Sequence, residues 1–378
     1  MSEVIRTAEE IEHEEADPVT THTEIEIASQ PACWLRGAEM AATAALPRPG
    51  ERVAVVGCGT SWFIAQAYAV LRERAGHGET DAFAASEAPL APGSSARTRA
   101  SGFSGRTRTP DPSLGIRTSD SSGGIRTSDP SGGTRTSAPS TGRAGNGPAA
   151  GRAPVHATAG RAYDRVLALT RSGTTTEVLD LLRRLDGTAT TVVTADPRTP
   201  VMALADEVVV LDFADERSVV QTRFATTQLA LLRAHLGEDL TQAVADAERA
   251  IAEPVADALV AAEQFTFLGR GWTYGLAQEA ALKMREASRS WTEAYPAMEY
   301  RHGPISIAGP GRVTWMLGPA PEGLAEDVRE TGGAFVSRDT DPMAELVRIQ
   351  RVAVARAQAL GLDPDQPLHL SRSVILSS

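Results

Sequence analysis

The sequence predicts an α/β fold that consists of two similar three-layer α/β/α subdomains, each with a parallel sheet, and a disordered insertion in the first. Short apolar segments alternate with amphipathic helices, and a turn that contains glycine joins strand to helix, as in right-handed βαβ units. The first such unit recurs 212 residues later, where the matching pairs are Gly57 and Gly269, Gly59 and Gly271, Ala65 and Ala277, Gln66 and Gln278, and Ala69 and Ala281.

The first subdomain is expected at 29–239. Four apolar segments indicate its strands, namely RVAVV at 52–56, VLALT at 166–170, TTVVT at 190–194 and EVVVL at 207–211. The turns GCGTS and RSGTTTE join the first two strands to the helices WFIAQAYAVLRER and VLDLLRRL, and a long helix is expected at 221–236. The second subdomain, expected at 240–378, has the strand FTFL at 265–268, the turn GRGWT and the helix YGLAQEAALKMREASRS.

Two segments do not fit this alternation. Residues 1–28 contain nine acidic residues and one arginine, which predicts a disordered acidic tail. Residues 91–160 form a low-complexity insertion in which GIRTSDSSG, GIRTSDPSG and GTRTSAPST recur at a spacing of nine. The repeat lacks the alternating apolar residues that a β-solenoid stacks, so we expect a disordered linker. Its nine arginines leave open an interaction with the acidic tail or another anion.

Composition excludes several classes of function. The net charge of −11 argues against a nucleic-acid or acidic membrane partner, and the chain has no apolar run long enough to span a bilayer. The acidic N-terminus lacks the apolar core of a secretory signal. Two cysteines, Cys33 and Cys58, allow no disulfide framework or cysteine-based zinc site, which indicates the reducing cytoplasm.

The turn at 57–61 follows the first predicted strand. Its glycines allow the backbone to approach a ligand, and the amides of the following helix favour an anion. The turn does not match GxGxxG because Trp62 occupies the sixth position, and no acidic residue follows at the spacing that holds a ribose. A plain strand-to-helix connection is the alternative interpretation.

The turn at 170–176 gives a stronger signal. Its hydroxyls and the Arg171 guanidinium could surround a phosphate at a helix start, where the helix dipole favours negative charge. The alternative is that these side chains serve as helix N-caps, although one cap needs only one hydroxyl. The Gly-Lys-Ser/Thr sequence of a Walker loop is absent, which argues against triphosphate hydrolysis.

Glu279, Lys283 and Glu286 share one face of the predicted helix after 273. This pattern is also typical of a surface ion-pair ladder. However, the face is surrounded by small and apolar residues, and Lys283 is the only lysine in a chain that otherwise uses arginine. A compact ammonium can be buried with a shifted pKa, so the face is a candidate catalytic surface. His302, in the loop before Gly303-Pro304, is a further candidate for proton transfer, or else an exposed loop residue.

These segments together resemble the sugar isomerase (SIS) domain proteins. The chain is similar to the isomerase half of glucosamine-6-phosphate synthase and to the ketosamine-6-phosphate isomerases, deaminases and deglycases. The matching segments occur in the family's order and are GCGTS, LTRSGTTTE, ERSVVQTRFATTQL, FLGRGWTYGLAQEAALKMREAS, EAYPAMEYRHGP and DPDQPLHLSRSV. The resemblance covers nearly all of the chain apart from the tail and the insertion.

The resemblance implies a role for each matching residue. Glu286 would be the base that moves a proton between C1 and C2, Lys283 would position it, and His302 would assist ring opening, reaching in from the partner subunit of a homodimer. The residues implied to bind the substrate are Gly59, Thr60, Ser61, Thr170, Arg171, Ser172, Thr175, Val219, Gln221 and Arg372. The implied reaction passes through an enediol or enolamine and requires no metal or redox cofactor.

Two departures from the synthase limit the prediction. Only a short acidic tail precedes the SIS region, so we expect no glutaminase domain. Arg372 replaces a lysine, which leaves a charge contact to the substrate but argues against a Schiff base. The sequence therefore predicts a cytoplasmic isomerase of an amino-sugar or ketosamine 6-phosphate, and leaves coupled deamination or deglycation open. The alternative functions are a non-catalytic, regulatory sugar-phosphate-binding protein and, less favoured because the loop signatures are missing, a kinase-like or dinucleotide enzyme.

Overall fold

The computed structural model describes residues 20–90, 163–185 and 187–376. The strands are β1 (Val53–Gly57), β2 (Thr80–Ala84), β3 (Arg165–Leu169), β4 (Ala189–Thr194), β5 (Glu207–Val210), β6 (Gln264–Gly269), β7 (Trp291–Pro296), β8 (Arg312–Leu317) and β9 (Ala334–Val336). The helices are α1 (His22–Ala28), α2 (Gln30–Met40), α3 (Thr60–Arg74), α4 (Thr176–Arg184), α5 (Arg223–His235), α6 (Thr241–Ala252), α7 (Asp257–Val260), α8 (Thr273–Ser288), α9 (Leu324–Glu330) and α10 (Pro342–Ala359). The five predicted strands and four predicted helices are confirmed to within a few residues at their ends.

Two wholly parallel sheets organise these elements. The first has the order β2-β1-β3-β4-β5, and the second has the order β7-β6-β8-β9. The second order repeats the first four positions of the first sheet, with β6 in the place of β1, so the predicted internal repeat is also a repeat of topology. The strand order reverses beside β1 in the first sheet and beside β6 in the second. Open α/β sheets bind ligands at such reversal points.

Alternating residues of the strands bury both faces of each sheet. Val53 and Val55 of β1 face a large core that also contains Phe265 and Phe267 of β6, so this core lies between the two sheets. Val56 faces a smaller core against α4. On the second sheet, the opposite face packs against α9. Each sheet is therefore covered by helices on both sides, as the three-layer prediction requires.

Helices α3 and α8 cross closely within the shared core. Gly275 of α8 lies so near α3 that a Cβ atom there would overlap the carbonyl oxygen of Phe63 and lie 3.0 Å from the amide nitrogen of Ala67. A glycine at this position thus lets the two helix backbones meet. The contact brings the start of α3, at one strand-to-helix turn, next to the predicted catalytic helix.

The N-terminal boundary differs from the prediction of a disordered tail up to residue 28. Residues 22–28 form α1, because Thr21 and Glu24 make a capping box and Thr23, Glu26 and Ile27 are buried. Asp365 accepts hydrogen bonds from the Thr23 amide and hydroxyl at 2.7 and 2.6 Å, which ties α1 to the C-terminal part of the chain. Residues 1–19 and the predicted insertion at 91–160 lie outside the described residues.

Candidate active site

The turn after β1 places two hydroxyls at the start of α3. Gly59 has a φ of 53°, a conformation that favours glycine, and a Cβ at Gly57 would lie 2.7 Å from the Ser61 backbone. The chain therefore doubles back tightly, and Thr60 and Ser61 are both buried. Burial raises the pKa of the Cys58 thiol to about 11, so that side chain is not poised as a nucleophile.

The turn after β3 gathers the predicted phosphate-binding hydroxyls. The Thr170 hydroxyl accepts from the Gly173 amide at 3.3 Å, and the Ser172 hydroxyl accepts from the Thr174 amide at the same distance. Thr175 is the N-cap of α4, yet its side chain makes no capping hydrogen bond. Its hydroxyl lies 3.4 Å from that of Ser172 instead. The N-cap interpretation therefore does not explain this cluster.

Arg171 connects the turn to two other segments. Its side chain is buried, with Nη1 donating to the Ser218 carbonyl at 3.1 Å and Nη2 donating to the Arg372 carbonyl at 3.1 Å. Nη1 also lies 3.5 Å from the carboxylate of Glu216. Nε is buried and has no hydrogen-bond partner within the part of the chain that the structure describes. Arg171 thus holds the site together, with one buried N–H left over.

The segment 216–222 contacts Arg171 on one side and borders a cleft with helix α8 on the other. Glu216 is fully buried, and its carboxylate accepts from the Arg223 amide at 2.8 Å and the Thr222 hydroxyl at 3.0 Å. Burial raises the pKa of Glu216, and Arg171 opposes that rise. Val220 and Thr222 border the same small cleft as Lys283 of α8. The half-buried Val219 and Gln221 lie on this segment, each next to one of these cleft residues in sequence.

Glu279, Lys283 and Glu286 of α8 form a buried acid–base cluster. Lys283 is 1% exposed, and its Nζ lies 3.5 Å from Glu279 Oε1 and donates a hydrogen bond to Glu286 Oε2. The Glu286 side chain is 17% exposed, which leaves one edge accessible to a ligand. The ion-pair ladder interpretation is correct for the contacts, but the ladder is buried rather than on the surface.

The pKa values in this cluster are set by burial and by the lysine. Burial raises the pKa of Glu279 to about 7, although Lys283 draws it down, and the negative charge of Glu286 adds to the rise. Burial alone would lower the pKa of Lys283, but the two carboxylates outweigh that effect and raise it. Lys283 therefore stays charged and holds the Glu286 carboxylate in place.

Two predicted residues lie apart from this cluster. His302 is exposed, on a 3-10 turn at Tyr300–His302 that follows β7. The Arg372 guanidinium donates to the Asp215 carboxylate and the Glu216 carbonyl, so it fixes the C-terminal segment to the segment that starts at 215. Both residues remain predicted substrate contacts.

The C-terminal segment at 371–376 crosses the turn at 170–176. Ser373 Oγ lies 3.0 Å from the Thr174 hydroxyl and 3.2 Å from the Ser172 hydroxyl, and the Thr176 amide donates to the Val374 carbonyl at 3.2 Å. No sequence pattern predicted this contact, although DPDQPLHLSRSV lies near the end of the chain.

Glu216 and Glu26 are site residues that the sequence did not reveal. Glu26, on α1, accepts from the amides of Arg217 and Ser218 and from the Ser218 hydroxyl. It therefore supports the pocket segment from a region predicted as disordered tail. Glu216 could have been noticed, because it is the acid that opens ERSVVQT, one of the segments that carry the family resemblance.

Neither a metal cluster nor a membrane helix is found among the described residues. No group of three or more His, Cys, Asp or Glu side chains within residues 20–90, 163–185 and 187–376 is arranged to hold a metal ion. None of the helices in these ranges is long and apolar enough to cross a bilayer.

Comparison with curated proteins identifies relatives with one shared name, and no family model matches the sequence. The glutamine–fructose-6-phosphate aminotransferase (isomerizing) of Gloeobacter violaceus is 36% identical over 143 residues, which cover 30% of this chain and 24% of that protein. That of Nostoc sp. is 32% identical over 193 residues, which cover 43% of this chain and 30% of that protein. That of Zymomonas mobilis is 28% identical over 263 residues, which cover 55% and 43%. The matches thus span less than half the length of these relatives.

Solved structures with the same fold cover almost the whole chain. Glucosamine-6-phosphate deaminase from Thermotoga maritima aligns with a TM-score of 0.62 and 20% identity, over 94% of this chain and 100% of that one. The C-terminal domain of glucosamine-fructose-6-phosphate aminotransferase from Francisella tularensis aligns with a TM-score of 0.62 and 18% identity, over 93% of this chain and 99% of that one. Tagatose-6-phosphate ketose/aldose isomerase from Escherichia coli aligns with a TM-score of 0.64 and 15% identity, over 96% of this chain and 98% of that one. At these identities the likeness establishes the fold.

Proposed function

This chain is a homologue of the glutamine–fructose-6-phosphate aminotransferases with the sugar isomerase (SIS) fold, and from that premise we propose that it is a sugar-phosphate isomerase. Its substrate is an amino-sugar or ketosamine 6-phosphate, and the reaction is an aldose–ketose isomerisation. The observation that carries the proposal is the buried Lys283–Glu286 pair, which lies beside the segment that Arg171 ties to the hydroxyl turn.

The phosphate group binds where the two turns meet the starts of α3 and α4. Thr170, Ser172 and Thr175 supply hydroxyls, Ser61 supplies another with the backbone at Gly59 and Thr60, and the α4 dipole favours the dianion. The free Nε of Arg171 supports this assignment, because a buried donor without a partner costs stability unless a ligand satisfies it. Binding at C6 then fixes the reacting carbons relative to α8.

Glu286 transfers the proton between C1 and C2. A single carboxylate beside both carbons can remove the proton from one and return it to the other through an enediol or enolamine. Lys283 orients this carboxylate through their hydrogen bond and offers positive charge near the oxygen on which the intermediate develops negative charge. Val219 and Gln221 line the sugar pocket, and Arg372 contributes positive charge near its edge.

Ring opening requires a group that can both donate and accept a proton, and we assign this role to His302. We propose that the partner subunit of a homodimer supplies it, which agrees with the exposure of His302 in the isolated chain. We also propose the cytoplasm as the location, since Cys33 and Cys58 are unbridged.

The test is turnover of a panel of hexosamine and ketosamine 6-phosphates by the wild-type chain and by Glu286→Gln. Exchange of the C2 hydrogen with deuterated water, ketose formation and ammonia release are measured separately, so that isomerisation is distinguished from deamination. We expect Glu286→Gln to lose at least a hundredfold in C2 exchange while its affinity for the 6-phosphate stays within about threefold of wild type.

Glu39→Gln is the control, because it removes an exposed carboxylate on α2 with the same change of atoms. Turnover that survives Glu286→Gln would refute the assigned base. Binding of a sugar phosphate without turnover of any panel member would instead favour a non-catalytic sugar-phosphate-binding protein.

A further inference from the structure

The C-terminal residues 373–376 occupy the groups that the proposed function assigns to the phosphate. Ser373 Oγ lies within 3.0–3.5 Å of the hydroxyls of Ser172, Thr174 and Thr175. The hydroxyl of Thr176 accepts a hydrogen bond from the Leu376 amide at 2.9 Å. The segment therefore makes side-chain and main-chain contacts along the whole turn.

One of these contacts uses an amide at the start of α4. Thr176 is the first residue of that helix, so its N–H has no partner inside the helix. Val374 accepts from this N–H at 3.2 Å. An anion bound at the same helix start would take the same donor. Segment and phosphate thus compete for one set of hydrogen-bond donors.

The segment is held by polar contacts and buries little apolar surface. Val374, Ile375 and Leu376 are 53%, 71% and 56% exposed. The hydrophobic effect therefore contributes little to the attachment of the segment. Each hydrogen bond also makes only a modest net contribution, because water competes for the same groups. An anion that offers several charged acceptors at once can displace such a segment.

We propose that residues 373–376 act as an internal competitor that closes the phosphate site until a phosphorylated ligand displaces them. The inference rests on the proposed phosphate site at 170–176. The base of the segment is anchored at Arg372. Its carbonyl accepts a hydrogen bond from Arg171, and the Arg372 guanidinium donates to the Asp215 carboxylate. Residues 373–376, the arm, are therefore tethered at a fixed base, and their effective concentration at the turn 170–176 is high.

This arrangement lowers the apparent affinity for phosphate. Only chains with the arm released can bind, so the apparent dissociation constant is the intrinsic one divided by the released fraction. The conformational entropy lost by ordering four residues offsets most of the free energy that the arm's few hydrogen bonds contribute. The closed form is therefore only modestly favoured. We therefore expect removal of the arm to tighten binding by about five- to tenfold.

The experiment measures binding of inorganic phosphate and of glucosamine 6-phosphate by titration calorimetry. The variants are a chain that ends at Arg372 and the full chain with Ser373→Asp. A chain that ends at Leu376 is the matched truncation control, since it keeps every contact of the arm. Ser373→Asp places a carboxylate among the hydroxyls and near the α4 amides, so it should hold the arm closed and weaken binding at least tenfold. Thermal melts check that each variant is folded.

Tighter binding after truncation at Arg372, together with weaker binding by Ser373→Asp, supports the internal competitor. Equal affinities in all chains would overturn it while leaving the phosphate site intact. Weaker binding after truncation at Arg372 would also overturn it, because the arm would then supply contacts to the ligand. If no chain binds either ligand, the proposed phosphate site is wrong and this inference is wrong with it.

Discussion

The buried carboxyl of Glu279 gives a stability that depends on pH in a defined direction. Glu279 is fully buried on α8, and burial raises its pKa from 4.5 to about 7. The folded chain therefore binds this proton more tightly than the unfolded chain does. The stabilisation is fully present below about pH 4.5 and is lost as the pH rises through about 7. Glu279→Gln keeps the shape of the protonated carboxyl and cannot ionise.

The magnitude follows from the size of the shift. A difference of about 2.5 pH units corresponds to about 3 kcal/mol in the free energy of unfolding, at 1.36 kcal/mol per unit. Relative to Glu279→Gln, the wild-type chain should therefore lose most of this stabilisation between pH 5 and pH 8.5. The attraction to Lys283 is already contained in this value, because it acts on the pKa itself.

Urea denaturation from pH 5 to pH 8.5 measures both chains, and their difference at each pH removes the contributions of all other titrating groups. Glu39→Gln serves as the control, since an exposed carboxylate on α2 is solvated in the folded and unfolded states alike. Its difference from wild type should stay within about 0.5 kcal/mol across the series. A constant difference between wild type and Glu279→Gln would mean that Glu279 is ionised throughout, and the reasoning about its burial would be refuted.

Two further substitutions test the packing around the site. Glu216→Ala should lower the free energy of unfolding by about 3–5 kcal/mol, because it leaves the buried Arg171 without its carboxylate, and a loss below 1 kcal/mol in urea denaturation would contradict this. Gly275→Ala should cost about 1–3 kcal/mol despite the better helix propensity of alanine, because its Cβ would overlap the Phe63 carbonyl, and an increase in the melting temperature would show that α3 and α8 are not in close contact.

Much of the fold could be predicted because local patterns determine it. Val53–Val56 is a continuous apolar run, and Phe265–Leu268 is apolar except for Thr266. Glycine turns follow both, and both are central strands buried on each side. Strands β2, β7, β8 and β9 lie outside the predicted elements. β2 and β7 are edge strands, so TDAFA and WTEAYP mix polar and apolar residues without a clear period. β9 is a short edge strand of three residues, whereas β8 is a central, buried strand that the pattern of RVTWML did not reveal.

The candidate site was predictable in its residue types and less so in its contacts. The hydroxyl turn and the Glu279–Lys283–Glu286 face could be found from the sequence, since each depends on neighbours along one turn or one helix. The roles of Glu26 and Ser373 depend on partners 192 and 199 residues away, at Ser218 and Thr174. No local pattern encodes such pairings, so an acidic N-terminal segment reads as tail even where it forms a capped, buried helix.

The repeated sheet order has a consequence for how the two halves share the chemistry. At the 212-residue offset, the positions that correspond to Glu279, Lys283 and Glu286 are Ala67, Leu71 and Arg74. The turn after β8 reads GPAPEG, where the turn after β3 reads TRSGTT. Each half thus carries one set of polar side chains that the other lacks, so the proposed centre is a single composite one in place of two equivalent ones.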